Sequence, residues 1–434
     1  MGDDSSPHSA YRDIEADRSD EDDKYAVLRT TTTFGVSLMK NLETLVWIDP
    51  VVKDQATFTR LFAQTTAHTL KLSNIVLDGE WPLQPILARP GPPIRSLDID
   101  ITLVVPHSES RGLARDDSMP DQENTIFESI FKLCGPTLES LTWHYPPSRA
   151  RKPFSIDLDT DSFPNLRHLR INDDWLEMAA DKVLTLKRVT DLVLNHSQLH
   201  KLYLTQGRSK DSTDFDRLLL GMGQFSNLRS LLMVWSGGGR DDDFDWKISR
   251  SALHAISEMK GLEQLTLGCF IGDNTSGSYE DYDYDDPENK VPQWNVDHDM
   301  LQTHLSGLKN LKKLAFHGDT YKRPIAPNDD WADVCAATQP GSDYLDVVES
   351  DAYKSVPSVQ ERTHLRVVKH ANAWAKDLPH LERMVCEQRP MEFITNYKGL
   401  RKASPLGTLK DECRTYINRV FGLASETEVA FRFL

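Results

Sequence analysis

Cysteine is scarce in this chain: five in 434 residues, at Cys134, Cys269, Cys335, Cys386 and Cys413. They are odd in number and widely spaced, with no C-x-x-C pair. That excludes a disulfide framework or a zinc knuckle, and predicts reduced thiols packed as small hydrophobes in a cytoplasmic or nuclear protein. Long apolar runs are missing too. None approaches the roughly 18 residues of a membrane helix. The opening Met1-Gly2-Asp3-Asp4-Ser5 has neither a basic nor an apolar stretch, so no signal peptide is expected there. Gly2 and Ser6 outwardly fit a myristoylation pattern, but the two aspartates after the glycine argue against it. Positive charge is also short, with 50 Lys and Arg against 66 Asp and Glu, a formal net charge of −16. Such a surface repels nucleic-acid phosphate and anionic lipid, so neither nucleic acid nor membrane is expected as a partner, and basic proteins are mildly favoured.

Catalytic and cofactor motifs are absent as well. The chain has no P-loop, no G-x-S-x-G elbow and no kinase signature. Gly221-Met222-Gly223 lacks the third glycine and the preceding strand of a dinucleotide loop. Asp157-Leu158-Asp159-Thr160-Asp161 begins like a calcium loop. Ser162 then stands where the sharp turn needs glycine, and His168 where the cage needs a bidentate glutamate. His196 and His200 have a zinc-ligand spacing, but no intervening glutamate in the metalloprotease position and no cysteine pair accompany them. They read as surface or turn histidines. No metal or cofactor is expected, and no enzymatic activity.

What is present is repetition. One phrase recurs: an apolar residue, two variable residues, an apolar residue, one variable, an apolar residue. It appears as Leu42-x-x-Leu45-x-Trp47, Leu72-x-x-Ile75-x-Leu77, Ile94-x-x-Leu97-x-Ile99, Leu138-x-x-Leu141-x-Trp143 and Leu166-x-x-Leu169-x-Ile171. Val189-x-x-Leu192-x-Leu194 and Leu199-x-x-Leu202-x-Leu204 follow closely. Leu228-x-x-Leu231-x-Met233, Leu262-x-x-Leu265-x-Leu267, Leu311-x-x-Leu314-x-Phe316 and the degenerate Leu381-x-x-Met384-x-Cys386 complete the series. The closing alternation has the period of a short strand with one buried face. Before most copies the spacing changes to three and four: Phe58, Leu61 and Phe62; Ile126, Phe127, Ile130 and Phe131; Phe215, Leu218, Leu219 and Met222; Leu253, Ile256 and Met259; Met300, Leu301, His304, Leu305 and Leu308; Leu365, Val368, Ala371 and Trp374. That is the mark of an amphipathic helix.

Helix, turn and strand, repeated, require parallel strands with helices to one side. The expected fold is therefore α/β, a leucine-rich-repeat solenoid of irregular period. Its strands would line a concave face and its helices a convex one. It would run over residues 38–390, behind a disordered acidic tail at 1–25 and before a helical cap at 391–434. Loop insertions are expected near 106–123, 236–245, 271–292 and 322–360. The third carries Tyr279-Glu280-Asp281-Tyr282-Asp283-Tyr284-Asp285-Asp286, either a solvated acidic loop or a dock for a Lys/Arg-rich partner.

Alternation along the strands also predicts which side chains face the open sheet: Asp98 and Asp100; Thr142 and His144; His168, Arg170 and Asn172; Asp191 and Asn195; Gln264 and Thr266; Lys313 and His317. The row is polar and mixed in charge, which suits a protein or peptide better than an apolar small molecule.

Some stretches resemble a known family. Phe163-Pro164-Asn165-Leu166-Arg167-His168-Leu169 and Phe225-Ser226-Asn227-Leu228-Arg229-Ser230-Leu231 resemble the starts of strands in fungal leucine-rich-repeat proteins of the F-box type. Ala373-Trp374-Ala375-Lys376-Asp377-Leu378-Pro379-His380-Leu381-Glu382 is similar to that family's last repeat. Asp411-Glu412-Cys413-Arg414-Thr415-Tyr416, followed by Val420-Phe421-Gly422, resembles its C-terminal helix. The resemblance implies a substrate-recognition array of a ubiquitin ligase, holding another protein and catalysing nothing. The F-box, a Leu- and Pro-rich helical segment of about forty residues that docks on a cullin adaptor in that family, has no counterpart in residues 1–25. It has been lost or lies upstream of Met1, and an adaptor is an expected partner only in the second case. A repeat protein with no ligase link, and an enzyme with a loop-built site, are the alternatives.

Overall fold

The computed structural model describes residues 21–48, 59–62, 65–77, 93–103, 125–144, 161–173, 186–206, 213–237, 248–271, 297–317, 359–386, 389–406 and 420–421. Two compact units divide the chain: Met1–Leu166 with Asp181–Val183, and Arg167–Ala180 with Leu184–Leu434. The expected loops and the Tyr279–Asp286 tract lie almost wholly outside the described residues.

The first unit holds helix α1 (Glu21–Leu38), strands β1 (Thr44–Ile48), β2 (Thr69–Leu77) and β3 (Ser96–Leu103), helix α2 (Thr125–Cys134) and strand β4 (Ser140–His144). The strands pair in parallel and in sequence order. Leu45, Leu70, Leu97 and Leu141 share one register position, and Trp47, Leu72, Ile99 and Trp143 the next. These positions are buried, and Trp143 meets the apolar face of α2, whose Phe127 and Phe131 rings lie 5.3 and 5.0 Å from it. Gly135, just after α2, admits no side chain: a Cβ there would stand 2.5 Å from the Ser162 carbonyl oxygen.

The second unit holds β5 (His168–Asp173), α3 (Leu186–Asn195), β6 (Lys201–Gln206), α4 (Thr213–Met222), β7 (Ser230–Gly237), α5 (Arg250–Glu258), β8 (Gln264–Ile271), α6 (His298–Leu305), β9 (Lys313–His317), α7 (Val359–Asp377), β10 (Arg383–Cys386), β11 (Arg389–Thr395) and β12 (Arg401–Pro405). Strands β5 to β10 are parallel and in sequence order; β11 and β12 close the edge antiparallel. Side-chain caps start two of the helices: Ser249 Oγ accepts from the Ala252 N–H, and Asp297 Oδ1 from the Met300 N–H.

A hydrogen-bond device recurs along the stack. The carbonyl of the residue just after the first apolar position accepts two consecutive N–H groups from the next repeat. Glu43, His68 and Arg95 do so in the first unit; Arg167, His200, Arg229, Glu263 and Lys312 in the second. The turn before each strand is thus tied to its neighbour, so the strands stack in register. Each unit is an α/β stack with a mostly parallel, open sheet and helices on one face.

Several expectations are corrected. Val189-x-x-Leu192-x-Leu194 is not a strand but lies in α3. Val189, Leu192 and Val193 form its buried face, and the parallel strands on either side require a crossover between them. The second copy of the phrase begins at Ala67 rather than Leu72: Ala67, Leu70 and Leu72 hold the core positions, and a bulge after Leu72 shifts the pattern. The helix α1 begins at Glu21, inside the stretch read as a tail. The cap opens as β-structure, because β10 would otherwise leave its edge bare. The β11–β12 turn is built by Asn396, whose Oδ1 accepts the N–H groups of Lys398 and Leu400, and by Gly399 at φ 76°. Strand β7 runs to Gly237 and β8 to Ile271, and α7 starts at Val359, each trimming an expected loop.

Candidate functional site

Because side chains alternate along a strand, each sheet has a second face opposite its helices. In the first unit that face carries Val46 and Ile48 on β1, Lys71 and Ser73 on β2, Asp98 and Asp100 on β3, and Thr142 and His144 on β4. Lys71, Asp98 and Thr142 stand in one cross-strand row, and Asp100 faces His144 in the next. Asp98 Oδ1 lies 3.0 Å from His144 Nε2. The imidazole is buried and Asp98 is partly exposed, and the two polar groups meet across β3 and β4. The four expected residues of this unit are therefore brought together. Lys71 and Ser73 belong with them and escaped the sequence reading, because the bulge in β2 hid its true register.

In the second unit three rows cross the sheet. The first is His168, Lys201, Ser230, Gln264, Lys313 and Arg383. The second is Arg170, Tyr203, Leu232, Thr266, Ala315 and Val385. The third is Asn172, Thr205, Val234, Gly268 and His317. Two halves differ in character. Toward β5 the face is partly open: the Arg170 guanidinium lies 5.9 Å from the Tyr203 ring centroid, and the Tyr203 hydroxyl is 3.0 Å from Ser230 Oγ. Toward β10 it is apolar and closed, with Leu232, Val234, Thr266, Ala315 and Val385 all buried.

At Ala315 and Val385 the cover is the chain itself. Phe421 is fully buried against Ala315 and Val385, with Val420 beside it. Gln264 Nε2 donates to the Phe421 carbonyl at 2.8 Å, and Lys313 Nζ to the Val420 carbonyl at 3.1 Å. Burial, together with the neighbouring Arg383 charge, holds the Lys313 ammonium below the ordinary lysine value; Glu382 opposes them. Thr266 Oγ1 is buried and has no hydrogen-bond partner among the described residues.

The expected surface is corrected accordingly. Gln264, Thr266 and Lys313 do lie on the face opposite the helices, but Gln264 and Lys313 are bonded to the chain's own Phe421 and Val420, and Thr266 is buried rather than open to a partner. Asp191 and Asn195 are exposed on α3 and are not on the sheet at all. His168 and Arg170 are partly exposed where expected; Asn172 and His317 hold their register positions. Leu232, Val234, Ala315 and Val385 also belong to this face, and polar alternation does not mark them. Apolar residues at both parities of β7 were the available signal, since a strand buried on both faces reads that way.

His196 and His200 do not converge. His196 is buried at the end of α3, where its Nδ1 donates to the Leu192 carbonyl at 2.6 Å, closing the last helical turn. The His200 ring instead lies 6.4 Å from that of His168. Among the described residues no group of three or more His, Cys, Asp or Glu can hold a metal ion, and no helix is long and apolar enough to cross a membrane. No family model matches the chain, and no curated protein matches its sequence.

Proposed function

We propose that this chain is a leucine-rich-repeat array of the F-box-receptor type, an intracellular, non-catalytic module that holds another protein or peptide on the face opposite its helices. The observation that carries this reading is the partly exposed, in-register set of polar and aromatic side chains on that face. In the first unit these are Lys71, Asp98, Asp100 and Thr142; in the second, His168, Arg170 and Tyr203. Mixed charge with an Arg–Tyr pair is the chemistry of protein recognition, where Tyr and Arg supply much of the binding energy. A stack of short repeats with fixed spacing suits an extended ligand, each strand offering one or two contacts.

The test is affinity capture of the tagged protein from its own cells, with mass spectrometry of what is retained. Retention of a cullin adaptor supports the ligase-receptor assignment, and the remaining retained proteins are candidate substrates. Retention of a stoichiometric partner without an adaptor favours the second reading, a repeat scaffold with no ligase link. In either case Arg170→Glu, placed on the open half of the face, is expected to lower retention of the partner at least tenfold. If it and Asp100→Lys, on the open face of the first unit, both leave retention unchanged while the protein stays folded, neither unit's open face is the binding surface.

A further inference from the structure

We infer that the free edge of β1 is an interface for a second copy of this chain, which continues the sheet across a twofold axis at Val46. The inference is independent of what the open face of the array binds.

Among the described residues, β1 pairs with β2 on one side and with no strand on the other. The Thr69 N–H donates to the Glu43 carbonyl at 2.9 Å. In a parallel ladder Leu45 and Trp47 then direct their main-chain groups toward β2, and Thr44, Val46 and Ile48 direct theirs outward along the bare edge. The side chains of these three are exposed on the face opposite the helices. Such an edge is a template for another strand. Nothing in Thr44-Leu45-Val46-Trp47-Ile48 blocks one, since it holds no proline, no glycine and no charge. The edge strand β12 of the second unit is built the other way. Asn372 Oδ1 accepts the Ala403 N–H at 2.8 Å, Pro405 has no N–H to offer, and Arg401 and Lys402 add charge.

The β1 edge matches itself. Turned about an axis through Val46, two copies pair antiparallel, with Val46 opposite Val46 and Thr44 opposite Ile48. All three outward residues then fall in hydrogen-bonded pairs, giving about six main-chain bonds. Every side-chain pair on the open face is β-branched, the kind that packs well across strands. Helix α1 precedes β1 as the later helices precede their strands, so the same axis brings the two α1 helices together. Val27, Phe34 and Leu38 are 67%, 60% and 63% exposed. They form one stripe along α1, on the side away from the buried Thr33 and Val36. Leu28 and Met39 flank the stripe and are exposed too. With the half-exposed Val46 and Ile48, the apolar surface of this first repeat comes to about 700 Å² per copy. That exceeds the roughly 300–600 Å² patch of an ordinary monomer and approaches the roughly 800 Å² per partner of a stable interface.

The test is light scattering on the full chain at about 50 μM, where a micromolar dimer is mostly assembled. The wild type should give twice the 49.3 kDa of one chain. Val46→Pro removes an N–H that points away from β2, so it costs the fold no hydrogen bond. It is expected to raise the dissociation constant at least tenfold with an unchanged circular dichroism spectrum. Val46→Lys should do the same, and it decides the matter if the proline variant does not fold. Hydrogen exchange reads the edge itself: the segment Thr44–Ile48 should exchange at least tenfold more slowly in the dimer than after dilution to monomer. A wild type that stays monomeric would overturn the proposal. So would a dimer that the folded variants leave intact, or one in which Thr44–Ile48 gains no protection, since its copies would then meet elsewhere.

Discussion

The Trp374 indole N–H donates to Nδ1 of His298 across 3.3 Å, inside the helix layer of the second unit. Both residues are buried, and the His370 ring stacks on His298 at 4.4 Å. A nitrogen that accepts this bond carries no proton, so the imidazole proton sits on Nε2. The pair joins α6 to α7, and the Phe316 ring of β9 packs against both. Removing the acceptor leaves a buried donor without a partner. His298→Phe is therefore expected to cost about 1–3 kcal/mol. Adding Trp374→Phe should cost less in that background than in the wild type. Urea unfolding of the two single variants and the double variant measures the coupling, and a coupling of zero would show that the bond contributes nothing.

Cys134 lies at the end of α2, and burial pushes its thiol from the ordinary 9.0 up to about 12. The folded chain keeps this proton at pH values where the unfolded chain releases it. Above pH 9 the native state therefore binds more protons than the unfolded state, and stability falls as pH rises from there toward about 12. Comparison with Cys134→Ala isolates the effect. The stability advantage of the wild type over the variant should shrink by about 1 kcal/mol between pH 8 and pH 10. The same burial predicts that iodoacetamide labels Cys134 only in denaturant.

Thr266 offers a substitution expected to stabilise. Its hydroxyl is fully buried and has no partner among the described residues, and valine has nearly the same shape without the polar atom. Thr266→Val should raise the unfolding free energy by about 1 kcal/mol. A destabilised Thr266→Val would mean that the hydroxyl is satisfied in solution.

The stack predicts a contrast between its core and its rim. Leu265 sits between Leu231 and Leu314 at one register position and is fully buried. Leu265→Ala should cost about 2–5 kcal/mol. Lys312 on the rim approaches Glu263 at 2.7 Å, and the hydrogen bond to Glu263 is the first cause of its raised pKa. The ammonium is exposed, however, and solvent and salt screen it. Lys312→Ala should leave the thermal midpoint unchanged at physiological ionic strength. A large effect there would contradict the reading of this pair as rim.

Much of the architecture was legible in the chain alone. The phrase of three apolar residues with closing alternation placed nearly every parallel strand, because a strand with one buried face must repeat every second residue. The three-and-four spacings placed the helices for the same reason. Two ambiguities defeated this reading, and each has a physical cause. Val189, Leu192 and Leu194 fit a strand spacing, while Val189, Leu192 and Val193 fit a helix. Only the need for a crossover between parallel β5 and β6 decides between them. Ala67 replaces the expected large residue, and the bulge after Leu72 offered a false register in its place.

The sequence by itself determined the repeating α/β stack, since that follows from local periodicity and from the burial each short strand requires. The tertiary structure alone decided what covers the sheet face. Gln264 and Phe421 are 157 residues apart, and neither carries a mark of the other. A side-chain amide that donates to a distant main-chain carbonyl leaves no spacing in the sequence, because every residue supplies such a carbonyl.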